Sequence, residues 1–135
     1  MDEQPTPTIG QDSEAMARLC ARICEDGKAE ELMLFDVHES SFFADYYLIC
    51  TGTSAPHIGG ICNRLRQELA VAGYLPRRRE GDPSSHWVIV DYGAVLVHVL
   101  DPERRRYYHL EELWEAGRLV YSSPPRKETL PASVS

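Results

Sequence analysis

The chain lacks the cysteine pattern that would staple or metallate it. Its four cysteines, Cys20, Cys24, Cys50 and Cys62, contain no Cys-x-x-Cys pair, and the five histidines fall at no zinc-finger spacing, so structural zinc is not expected. Cys20 and Cys24 lie one helical turn apart among apolar residues and read as small buried hydrophobes in a reducing compartment. No hydrophobic run reaches the length needed to span a bilayer, and residues 1–11 carry acids and prolines instead of the basic flank and apolar stretch of an export signal. A cytoplasmic location without membrane attachment is expected. Positive charge is also scarce, with 14 basic against 21 acidic residues and a net charge of −7. That balance disfavours a mainly electrostatic grip on nucleic acid, which depends on releasing phosphate counterions, and suits a basic protein as partner. No internal repeat is visible.

Within 135 residues, 43% of them apolar, there is material for one domain with a core. Residues 1–11 and 122–135, rich in Pro, Ser and Thr, are expected to be flexible tails around an α/β domain at 12–121. A first helix is expected from an N-cap at Asp12 or Ser13 to a stop at Gly27, with Met16, Leu19, Cys20, Ile23 and Cys24 on its apolar face. Strands are expected at 32–37 and 45–51, then a helix capped by Ser54, carrying Pro56 in its first turn and ending at Gly73. A short strand at 74–79 follows, and the runs HWVIVDYG and AVLVHVL form a hairpin about Tyr92 and Gly93. A last helical region begins near Asp101, with Tyr107, Leu110, Leu113 and Trp114 spaced to pack on the sheet. The alternation predicts a single mixed α/β sheet of about five strands with helices packed on it.

Strand parity places Trp87, Ile89 and Asp91 on one face of the hairpin and His86, Val88 and Val90 on the other. A fully buried Asp91 would need a partner, so Trp87 beside it is expected to be partly exposed. His98 lies in an otherwise apolar strand, where a satisfied structural histidine is the default.

Three segments in order, DYYLICTGTS at 45–54, WVIVDYGAVLVHV at 87–99 and YHLEELW at 108–114, resemble the ribosomal silencing factor family, also called Iojap or RsfS. The resemblance covers most of the ordered chain. It implies a nucleotidyltransferase-like topology and a translational repressor that binds the intersubunit face of the large ribosomal subunit through its fourteenth large-subunit protein. Such a factor keeps the small subunit from docking and lowers translation when nutrients are scarce, with no catalysis and no cofactor. The family often has Asp after the Asp-Tyr-Gly turn, where this chain has Ala94, which removes one carboxylate. Within the matching segments the expected contact residues are Asp45, Tyr46, Trp87, Asp91, Tyr92 and His98, aromatics anchoring and acids pairing with Lys or Arg. Arg77, Arg78, Arg79 and Arg104, Arg105, Arg106 read by default as solvated or paired with nearby Glu, and the ribosomal setting that the resemblance implies gives them a second role as auxiliary contacts to ribosomal RNA phosphates. A homodimer off the ribosome is left open by the apolar strands.

The alternative is a metal-dependent nucleotidyltransferase-like enzyme with acids assembled from separate strands, Asp36 with Asp45 or Asp91. Against it, the strand after the second helix carries no Asp-x-Asp pair, and Gly52, Thr53 and Ser54 read as a turn and helix cap before a phosphate loop. A triad of Ser54, His98 and Asp91 lacks the Gly-x-Ser-x-Gly elbow. A stand-alone RNA-binding module is weaker still, because no RRM or KH signature accompanies the acidic balance.

Overall fold

The computed structural model describes residues 9–113 and 116–124. Its elements run α1 (Ile9–Asp26), β1 (Glu30–Asp36), β2 (Tyr46–Thr51), α2 (Ala55–Val71), β3 (Arg78–Glu80), a 3-10 turn (Pro83–Ser85), β4 (Trp87–Asp91), β5 (Val95–Leu100), α3 (Pro102–Tyr108), the single turn α4 (Leu110–Leu113) and β6 (Arg118–Ser123). The strands form one mixed sheet in the order β3-β4-β5-β2-β1-β6. Only β2 and β5 pair in parallel; the other neighbours are antiparallel. The expected single mixed α/β sheet is therefore present, with six strands instead of about five.

Strand parity divides the core in two. Leu32 and Leu34 of β1, Tyr46, Leu48 and Cys50 of β2, Val88 and Val90 of β4, and Val95, Val97 and Val99 of β5 pack with α1 and α2 in the larger cluster. The intervening residues Met33, Phe35, Ile49 and Leu100 turn to the other face, where Leu110 of α4 joins them and Tyr47 and Trp87 pack at the margin. Alternation with period two does this without further instruction, since successive side chains leave opposite sides of a pleat. The helix of Ile58, Ile61, Cys62, Leu65 and Leu69 lies on the larger cluster as its spacing predicts, and Ser54 caps it by accepting from the His57 amide.

The boundaries differ from expectation at both ends. Helix α1 begins at Ile9, so Ser13 is not a cap but an interior residue whose hydroxyl donates to Asp45 Oδ2 at 2.8 Å. At its other end the left-handed residue is Lys28 instead of Gly27. The expected C-terminal tail is cut back by β6, in which Ser123 pairs with Leu32 and Ser122 with Met33. Backbone pairing to β1 carries the Leu119, Val120 and Tyr121 run on through Ser122 and Ser123, whose own side chains signal no strand. Strand β3 is shorter than expected, Tyr107 is 76% exposed instead of packed, and the expected packing of the Leu113 side chain and of Trp114 falls outside what the structure describes.

All four cysteines are free and buried in the larger cluster. Burial pushes the Cys20 thiol up to about 12 and the Cys62 thiol to about 11, while a hydrogen bond with Cys50, together with burial, raises Cys24. Thiols held protonated are packing groups, not nucleophiles.

The approach to β4 rests on one glycine. Gly81 has φ +80, and a Cβ there would stand 2.2 Å from the Trp87 carbonyl oxygen. Gly81→Ala is expected to cost about 2 kcal/mol, combining a left-handed backbone with a backbone clash. Urea unfolding measures this, and wild-type stability in the variant would contradict the turn geometry.

Candidate functional site

The sheet face away from α1 and α2 carries the site. Across the β4–β5 ladder Trp87 stands opposite Leu100, Ile89 opposite His98 and Asp91 opposite Leu96. The β5–β2 register continues the rows, Leu96 beside Tyr47 and His98 beside Ile49. Partners in register share a face, so Trp87, Ile89, Asp91, Leu96 and Tyr47 form one half-buried surface over a buried floor of His98, Ile49 and Leu100.

Helix α3 closes one end of this surface. Asp101 caps it, accepting from the Arg104 amide at 2.9 Å, with Pro102 in the first turn. Tyr108 then meets the Trp87 ring at a centroid distance of 4.9 Å, and Tyr107 stands edge-on to Tyr108 at 4.8 Å. On its inner side Trp87 lies 6.1 Å from the His98 ring and donates its indole N–H to His98 Nδ1 at 3.2 Å. A line of aromatic rings thus runs from the buried His98 to the exposed Tyr107. Because indole nitrogen only donates, His98 Nδ1 carries the lone pair and the ring proton sits on Nε2. Burial pushes His98 down to about 4, so this neutral form persists at neutral pH.

The six expected contact residues do not converge. Trp87 and Asp91 lie on the half-buried face, with His98 beneath them. Tyr46 and Tyr92 are buried in the larger cluster on the opposite side of the sheet, which corrects their expected place as surface anchors. In β2 both parities are apolar, and the register puts Tyr47, not Tyr46, on the site face. Tyr92 follows Asp91 and so turns inward, where burial pushes its phenol up to about 12. Asp45 precedes β2, and its carboxylate is taken by Ser13. Asp91 has a structural task as well, because Oδ1 accepts from the Gly93 amide at 2.7 Å and sets the hairpin turn. Ile89, Leu96 and Tyr108 complete the face beyond the expected contact residues, Ile89 by sharing the parity of Trp87 and Leu96 that of His98.

The two basic clusters also separate. Arg77, Arg78 and Arg79 are exposed, and Arg78 approaches Glu80 at 3.8 Å. Arg104 pairs with Asp101 at 3.2 Å, and Arg106 is exposed. Arg105, however, is 4% exposed and its Nη1 donates to the Glu31 carbonyl at 2.7 Å and to Thr51 Oγ1 at 3.0 Å. It ties α3 to the sheet and is not available to phosphate, which corrects its place among the auxiliary RNA contacts.

The loop between β2 and α2 is occupied by its own hydrogen bonds. The Thr53 amide donates to His57 Nδ1 at 2.9 Å, which leaves the His57 proton on Nε2 to donate to the Gly27 carbonyl at 3.0 Å. The chain that a phosphate loop would open is thereby fastened to the end of α1. Of the three acids considered for metal-assisted transfer, Asp45 is bonded to Ser13 and Asp91 to the hairpin turn. Asp36 is held by His38 Nδ1 at 2.5 Å and Arg118 Nη2 at 3.1 Å. Among the described residues no group of three or more His, Cys, Asp or Glu is placed to hold a metal ion.

Burial works against ionisation of Asp36, but hydrogen bonds from His38 and the charges of His38 and Arg118 outweigh it and hold the carboxyl below its usual range. The same hydrogen bond, with the Asp36 charge, raises His38. The folded imidazole value being the higher one, its stabilisation is complete below the unfolded value and fades as pH rises through the folded midpoint. The depressed Asp36 sets the other side, fading as pH falls through its folded value. An NMR titration is expected to place the His38 midpoint above that of an ordinary imidazole and to find it lowered in Asp36→Asn. A midpoint indifferent to that substitution would break the pairing.

The model of the family described as ribosomal silencing factor during starvation matches residues 10–133. The ribosomal silencing factor RsfS of Bacillus subtilis is 35% identical over 100 residues, which span 74% of this chain and 85% of that protein. A mitochondrial Iojap-related protein of Arabidopsis thaliana is 33% identical over 99 residues, 70% of this chain and 54% of its own length. Among solved structures, a Bacillus halodurans protein superposes with a TM-score of 0.70 at 31% identity, covering 80% of this chain and 98% of that one. A Chromobacterium violaceum protein gives a TM-score of 0.72 at 29% identity, with 82% and 91% covered.

Proposed function

From the premise that this chain belongs to the ribosomal silencing factor family, we propose that it represses translation by binding the large ribosomal subunit at its intersubunit face and obstructing the small subunit. The contact is made with a basic protein of that subunit, the fourteenth large-subunit protein that the family resemblance implies. The observation that carries this reading is the half-buried surface of Trp87, Ile89, Leu96 and Asp91 bordered by Tyr108, an apolar and aromatic patch with a carboxylate at its edge. Such a patch suits a protein interface, in which aromatics supply the buried area and an acid at the margin selects a cationic partner. The net charge of −7 favours the same kind of partner and disfavours bare RNA. Asp45, Tyr46 and Tyr92 serve by holding α1 and the hairpin in place beneath the site.

The action is steric. A domain seated on one subunit face needs no reacting atom, so no cofactor enters the proposal. Sedimentation with separated subunits tests it: the protein is expected to travel with the large subunit alone and to reduce the yield of joined ribosomes when both subunits are present. Binding to neither subunit would overturn the reading, and metal-dependent nucleotide binding would then favour the transferase alternative.

A further inference from the structure

We propose that His98 is a positioning residue that turns the indole of Trp87 so that its only hydrogen-bond donor is spent inward, leaving Trp87 to meet the partner as a donor-free aromatic plate suited to the side chain of a Lys or Arg. This rests on the proposed binding function and gives its site a specificity.

The geometry that supports it is local. His98 lies in the middle of β5 with 7% of its surface exposed, between Ile89 on β4 and Ile49 on β2. Its Nδ1 accepts the Trp87 indole N–H at 3.2 Å, and the rings lie 6.1 Å apart at 46°. On the other side Tyr108 holds the indole at 4.9 Å. Two neighbours on different elements therefore fix one ring, and His98 does so through the single polar atom of the indole. A tryptophan whose N–H faced outward would favour a partner that offers an acceptor, such as a carbonyl or carboxylate. With the N–H consumed, what remains is hydrocarbon and π surface, which attracts a cation over its face. Asp91, on the same parity of β4, supplies the charge that would draw the cation in. Apolar strand positions around it are filled by Leu96 and Leu100, and the acceptor that His98 offers to the indole is a property neither of those side chains has.

The test compares His98→Asn, whose side-chain oxygen can stand where Nδ1 stands, with His98→Leu, which keeps the volume and removes the acceptor. Hydrogen exchange of the Trp87 indole N–H, assigned by its loss in Trp87→Phe, and affinity for the purified large subunit are both measured. In His98→Leu the exchange is expected to accelerate and the affinity to fall, each by about tenfold, with both restored in His98→Asn. Unchanged indole exchange in His98→Leu would overturn the positioning role, and so would faster exchange with undiminished binding. Failure of the wild-type chain to bind the large subunit would instead overturn the function on which the role depends, a result the exchange measurement does not imitate. Equal losses in both variants would mean that His98 acts only as a packing residue, and would also overturn the proposal.

Discussion

The double substitution Trp87→Ala with Asp91→Asn is expected to weaken binding to the large ribosomal subunit by about 100-fold or more, the loss of one aromatic anchor and one charge at its margin. The two positions can be changed without dismantling the fold. Trp87 is only half-buried and lies at the margin of the smaller cluster, so truncation leaves the larger core of α1, α2 and the sheet untouched. Asp91 orders the hairpin through its Oδ1 and the Gly93 amide, and Asn keeps that acceptor while removing the charge. A lysine at 91 would confound the two effects by opening the turn. The single variants complete a cycle: Asp91→Asn alone should slow association most at low salt, and Trp87→Ala alone should speed dissociation. Asp45→Asn is the control, since its carboxylate is engaged with Ser13 away from the aromatic face, and its affinity should match the wild type. Undiminished binding in a folded double variant would remove this face from the site.

What the sequence disclosed about this face and what it hid follow from the same physics. In β4 the alternation is asymmetric, because Val88 and Val90 are wholly apolar while Trp87 and Asp91 carry polar atoms, so parity alone located the outward side. In β2 both parities are apolar, as befits a strand with neighbours and packing on both faces, and nothing local distinguishes Tyr46 from Tyr47. Only the parallel register with β5 decides between them. The same dependence on distant partners sets the end of β6, where Leu119, Val120 and Tyr121 carry a local strand signal but Ser122 and Ser123 join only by pairing with β1 across the length of the chain. Ser13 looked like a cap because Ser and Asp favour that place, yet the helix runs past it and its hydroxyl finds Asp45. Where a side chain's role was local, as with Ser54 at the start of α2 or Gly93 in the hairpin, it could be read directly; where it was settled by a residue thirty or more positions away, it could not.

Arg105 is the strongest instance of that second kind, and its removal should be the most damaging single change. Three consecutive arginines look like a solvated charge run, yet only Arg106 is exposed, and Arg104 is partly buried and paired with Asp101. The middle one is enclosed, with Nη1 bridging the Glu31 carbonyl at 2.7 Å and Thr51 Oγ1 at 3.0 Å. Those acceptors belong to β1 and β2, so a single side chain of α3 joins a short helix to the middle of the sheet. Arg105→Ala takes this donor from the buried Thr51 hydroxyl and from the Glu31 carbonyl and deletes the packed stem, and is expected to cost about 3 kcal/mol in urea unfolding. Arg105→Lys should recover less than half of it, because its ammonium is more strongly hydrated and sits on a shorter side chain than the guanidinium Nη1 that reaches both acceptors. The consequence reaches the site. Tyr108 rests on Trp87 from the same helix, so once α3 loosens, the aromatic line loses its outer members before the sheet itself unfolds. Near-ultraviolet circular dichroism should therefore change in Arg105→Ala at denaturant concentrations where the far-ultraviolet signal of the sheet and α1 is still native. Coincident transitions in the two signals would show that α3 is held by its apolar contacts, and that Arg105 is not the tie between the aromatic face and the strands beneath it.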